Sequence, residues 1–149
     1  MMAQTYPENL MSTNKDTVDQ IVREIYDLKS PIINEARREQ LRGFIDTTIN
    51  GDNAKAYLII TATLSEKKPG ILVYVLTNVR LIKIDIGEIE FQSSSYPLNT
   101  IIGVERTLID DDRAAVKVSF QNGSFGLRYA SSNQKIKEFF QKVDQSRSR

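Results

Sequence analysis

Apolar residues along this chain recur first with a helical period, then with a strand period, and near the end with a helical period again. Val18, Ile21, Val22, Ile25 and Leu28 fall at i, i+3, i+4, i+7 and i+10, which sets them on one face of a helix predicted over 17–29. Asn14 or Asp16 is the expected N-cap. Ser30-Pro31 is the expected stop, because the residue before a proline is pushed out of the α region. A weaker set, Ala36, Leu41, Phe44 and Ile45, predicts a second helix over 34–46. Residues 1–15 are polar, lack periodicity and read as a mobile leader. The turn-rich Asn50-Gly51-Asp52-Asn53 marks the change of period.

Beyond that point seven strands are predicted, at 56–64, 71–77, 79–86, 88–96, 101–109, 114–121 and 124–129, spaced as in a sandwich or barrel. The first sets Leu58, Ile60, Ala62 and Leu64 on one face. The second is apolar on both faces and should be covered on both sides. In the fourth, Ile89 and Phe91 oppose Glu88 and Glu90; the fifth turns Ile102, Val104 and Leu108 inward. Ala114, Val116, Val118 and Phe120 alternate with polar positions along the sixth, and Asn122-Gly123 predicts a type I′ hairpin into the seventh, with Phe125, Leu127 and Tyr129 inward. A final helix over 131–145, capped by Ser131 or Ser132, buries Ile136, Phe139, Phe140 and Val143.

Composition narrows the chemistry. A chain of 149 residues, 40% apolar and 26% charged, suits one domain with one hydrophobic core. It has no cysteine and no histidine, which removes disulfides, thiolate and imidazole metal ligands, and the side chain best suited to acid–base work near neutral pH. No secretory leader or membrane-length apolar run is visible, so a cytoplasmic setting is the expectation. Net charge is +1, with 6 Lys/Arg against 9 Asp/Glu in residues 1–54 and 5 against 2 in 131–149. No basic stripe runs through the domain, which argues against a nucleic-acid partner.

Two stretches carry a resemblance. Val75-Leu76-Thr77-Asn78-Val79-Arg80-Leu81-Ile82-Lys83-Ile84 resembles a hairpin of bacterial pleckstrin-homology-like domains, and Ser95-Tyr96-Pro97-Leu98-Asn99-Thr100-Ile101-Ile102-Gly103-Val104 resembles a corner of the same domains. Seven strands followed by one amphipathic helix is also their order. The resemblance covers about residues 50–145. It implies a mainly β (α+β) fold: a seven-stranded antiparallel barrel or orthogonal sandwich capped by a C-terminal helix, here with an N-terminal helical extension. Phe139 and Phe140 stand where eukaryotic members carry a tryptophan, which favours the bacterial branch. The expected organisation is a leader over 1–15, the helical extension over 16–49 and the pleckstrin-homology-like domain over 50–149.

The expected function is non-catalytic binding, with another protein or a second copy of the chain as partner and no cofactor or metal. Exposed strand edges, hairpin loops or the helix face of Ile21, Ile25 and Leu28 would hold that partner. The alternative is an anionic lipid headgroup gathered by Lys67 and Lys68, joined by Lys55 and Arg80 or by the basic C-terminal segment. Against it, the second strand carries no Lys or Arg, and Arg80 suits a structural bond to strand-end carbonyls next to the Asn78 turn. Asp110-Asp111-Asp112 reads as a surface turn, since no later bidentate glutamate follows at calcium-loop spacing. Glu88 and Glu90 read as a polar outer face, and an enzyme of unrecognised class ranks third.

Overall fold

A computed structural model describes the backbone of residues 2–65 and 68–147 and the side chains of 14–61 and 69–147. The elements run α1 (Met2–Asp27), a 3-10 turn (Glu35–Arg37), α2 (Arg38–Ile49), β1 (Ala54–Ser65), β2 (Lys68–Thr77), β3 (Arg80–Ile86) and β4 (Phe91–Pro97). A second 3-10 turn (Leu98–Thr100) leads to β5 (Ile101–Leu108), β6 (Arg113–Phe120), β7 (Gly123–Ala130) and α3 (Gln134–Arg147). Backbone bonds tie the strands into two ladders, β1-β2-β3-β4 and β5-β6-β7, so the expected barrel is not closed by strand pairing. Pro97, which has no N–H to donate, and the 3-10 turn after it end the first ladder before β5 begins. By contacts the chain divides into an N-terminal unit, Met1–Asn78 with Ile82–Ser94, and a C-terminal unit, Val79–Leu81 with Ser95–Arg149.

The core of the N-terminal unit joins helix and sheet. Val18, Ile21, Val22 and Ile25 of α1 and Leu41, Ile45 and Ile49 of α2 pack with Ile71, Val73 and Val75 of β2 and Ile82, Ile84 and Ile86 of β3. The alternate β2 positions, Leu72, Tyr74 and Leu76, are buried too, as the two-sided apolar pattern requires. The helical extension is therefore part of a core shared with the sheet.

Two expectations about α1 are corrected. The helix starts at Met2, where the sequence reads a leader, because apolar periodicity reports the face that packs and not the helical backbone itself. Asn14 consequently lies inside the helix. Its side-chain amide donates to the Asp52 carbonyl at 2.6 Å and accepts the Ala54 N–H at 3.4 Å, fastening the helix to the start of β1. At the other end Lys29 takes a left-handed φ of 54° just past the last turn, and its N–H bonds the Tyr26 carbonyl at 3.1 Å. The Arg42 guanidinium donates to Asp19 at 2.6 Å, tying α2 to α1.

In the C-terminal unit the registers Val104↔Val118, Val116↔Leu127 and Ala114↔Tyr129 align the ladder. Ala114, Val116, Val118 and Tyr129 are buried, and Ile136, Phe139, Phe140 and Val143 of α3 are buried as the final helical period predicts. Helix α3 lies against β5, and its cap is Asn133, whose side chain accepts the Ile136 N–H at 3.1 Å; Ser131 instead donates to the Asp111 carbonyl.

The inward face expected for β5 is also corrected. Ile102 is 62% exposed and Leu108 69%, while Ile101 is buried. A register irregularity between Ile101 and Gly103 disturbs the alternation at the strand's start, and β5 is an edge strand. The β6–β7 reversal turns on Gln121-Asn122, one residue earlier than expected. Phe120 pairs Gly123 and neither loop residue has positive φ, so the turn is not type I′.

Candidate functional site

The segment 87–90 is a turn, not the start of the fourth strand, and this turn lines a surface groove of the N-terminal unit. One Arg37 side-chain nitrogen donates to the carbonyls of Ile32 at 3.1 Å, Gly87 at 3.0 Å and Glu88 at 2.9 Å. The guanidinium carbon also lies 4.3 Å from the centre of the Phe91 ring. Gly87 donates its N–H to the Glu90 carbonyl at 3.0 Å, closing the turn. That nitrogen carries two hydrogens, so one of them is shared between carbonyls, and the planar guanidinium can stack on Phe91 while it donates.

Between this turn and α2 runs an open groove of about 520 Å³. Gln40, Gly43, Phe44 and Thr47 of α2 line one side, and Ile89, Glu90 and Phe91 the other. The Phe44 and Phe91 rings lie 5.7 Å apart at 55°. A Cβ built on Gly43 meets nothing within 4 Å, so the space above that backbone is unfilled. Ile89 lines the groove at 87% exposure, the most exposed large apolar side chain among the described residues. An isoleucine so placed on a clamped turn presents apolar surface to water in a fixed position.

The residues singled out from sequence are scattered. Ile21 and Ile25 are fully buried in the core of the N-terminal unit, which removes them as partner contacts: their face is already covered by β2 and β3. Leu28 lies one residue past α1 and is 43% exposed. Arg80 opens β3 and donates to the Ser95 hydroxyl at 3.1 Å. Lys67 lies outside the described residues, and Lys68 begins β2 with its side chain outside them as well.

Asp110 is committed to its own turn. It accepts two side-chain bonds from Arg113, at 2.9 and 2.7 Å, and the backbone N–H groups of Asp112 and Arg113. The Arg113 bond, ahead of the backbone ones, holds its carboxyl below the usual range.

The sequence reading missed Arg37, Gly43, Phe44 and Ile89. Two signals were present: a glycine inside a helical pattern, and a lone isoleucine between two glutamates just after Gly87.

Two helices, seven strands in two ladders and a terminal amphipathic helix give the element order of a pleckstrin-homology-like domain with a helical N-terminal extension. Among solved structures, the chain is similar to a pleckstrin homology domain from Shewanella amazonensis SB2B, at 18% identity over 83% of this chain and 97% of that one, with a TM-score of 0.46. It is also similar to a DUF1696 family protein with a pleckstrin-homology domain from Shewanella loihica PV-4, at 23% identity over 78% of this chain and 95% of that one, with a TM-score of 0.43. No family model and no curated protein matches the chain.

Proposed function

We propose that this chain is a non-catalytic binding module whose ligand is another polypeptide, held in the groove between α2 and the 87–90 turn. The supporting observation is Ile89, almost fully exposed on a turn that Arg37 anchors through two carbonyls. Apolar walls at Phe44 and Phe91 and the unfilled space over Gly43 suit an apolar side chain from a partner helix or strand. Among the described residues no helix is long and apolar enough to cross a membrane.

A photo-crosslinking residue at position 89, in cells that express the chain naturally, should capture one defined polypeptide that the same residue at exposed Gln121 does not. Ile89→Asp should abolish co-purification of that polypeptide without changing the melting temperature. Co-purification that survives Ile89→Asp would refute the groove. Salt-sensitive flotation with phosphatidylserine vesicles, lost when Lys67 and Lys68 become Glu, would favour the lipid alternative instead.

A further inference from the structure

A second concavity lies wholly within the C-terminal unit, between α3 and the face of the β5-β6-β7 ladder. We propose that it binds a small amphipathic carboxylate, an apolar body of roughly one ring or a short alkyl chain carrying one carboxylate group.

Size sets the first limit. Its volume is about 190 Å³, well under the ~300 Å³ at which pockets for drug-sized molecules begin. Nucleotides and whole lipids are too large for it.

Chemistry sets the second. Val104, Val116 and Phe140 supply apolar wall, about half of the lining, which a bare inorganic anion would leave uncovered. Arg106 and Lys137 supply positive charge, and neither takes part in an ion pair among the described residues. The cross-strand neighbour of Arg106 is Val116, which cannot neutralise it. Asp144, the carboxylate of the lining, already accepts a 2.7 Å bond from Arg147. A guanidinium is a planar donor matched to a carboxylate, and Lys137 adds a second cation.

The third observation is Tyr129. It lines the cavity and is 8% exposed, and its hydroxyl is buried with no hydrogen-bond partner among the described residues. Such a group carries the cost of desolvation without a compensating bond. A carboxylate oxygen brought in by Arg106 and Lys137 supplies the acceptor that this hydroxyl lacks.

The test titrates the full chain with sodium benzoate, following backbone and methyl NMR signals, with benzyl alcohol and inorganic phosphate as controls. Benzoate should give saturable shifts centred on Val104, Val116, Tyr129 and Phe140, with both controls at least about tenfold weaker. Arg106→Gln and Lys137→Gln should each weaken benzoate about tenfold with melting temperatures unchanged. Tyr129→Phe should weaken benzoate while raising the melting temperature of the ligand-free chain, a pairing that a tyrosine with a purely structural role would not produce. Absence of saturable shifts, shifts centred away from these residues, benzyl alcohol or phosphate binding as well as benzoate, or unchanged affinity in both cation variants would each overturn the assignment.

Discussion

Tyr57 donates its hydroxyl hydrogen to the Glu24 carboxylate, joining β1 to α1 within the N-terminal unit. Burial, and then the bond to Glu24, raise the phenol above its ordinary value of 10.0. In the unfolded chain the phenol ionises near 10, while in the folded chain it stays protonated to higher pH. The stability it contributes is therefore complete below pH 10 and declines as pH rises beyond that value. Tyr57→Phe should cost about 1 kcal/mol at pH 7 and flatten the decline above pH 10, as urea melts across that range would show.

Arg37 should prove a positioning residue for the groove. Arg37→Met is expected to keep the apolar stem but lose all three carbonyl bonds and the charge over Phe91, at about 1–3 kcal/mol. Hydrogen exchange at the Gly87 amide should accelerate while exchange in β2 changes only by the overall loss of stability. Equal acceleration at every site would mean the turn does not depend on the clamp.

Lys29→Gly should stabilise the chain. A residue with a side chain in the left-handed region costs about 1 kcal/mol that glycine avoids, equivalent to a rise of about 2–4 °C in melting temperature at this chain length. Lys29→Val, branched at Cβ, should do the reverse.

Phe140→Asp should destabilise the chain by about 4 kcal/mol or more, since it puts a carboxylate where a nearly fully buried ring packs beside Phe139, the two rings 5.2 Å apart. Thermal melts followed by circular dichroism measure the loss. A variant melting like the parent would show α3 undocked.

Most of the fold was legible because most of it is periodicity. The apolar spacing of Ile136, Phe139, Phe140 and Val143 described a buried face, and a buried face is what they form. The unbroken run Ile71 to Leu76 described a strand covered on both sides, again as found. What the pattern concealed were contacts between distant segments. Nothing near Asn14 in the sequence says that its amide will meet Asp52 and Ala54, and without that knowledge a mid-helix asparagine looks like a cap. Ile89 misled for a related reason: alternation with Glu88 and Glu90 mimics a strand, but Arg37 draws the Gly87 and Glu88 carbonyls into a turn. The candidate groove was illegible because its two walls lie about fifty residues apart in the chain, and a clamp made by one arginine to backbone carbonyls leaves no trace in side-chain pattern.

The shared core of α1, α2, β2 and β3 also bears on synthesis. The ribosome makes α1 and α2 first, yet the side chains that cover their apolar stripe end only at Ile86. At about 5–20 residues per second, the nascent chain spends a few seconds with that stripe uncovered after Ile49 has been added. During that interval the segment is a natural client for a chaperone, and slowing translation between codons 50 and 86 should lower the yield of soluble protein more than the same delay placed after codon 100.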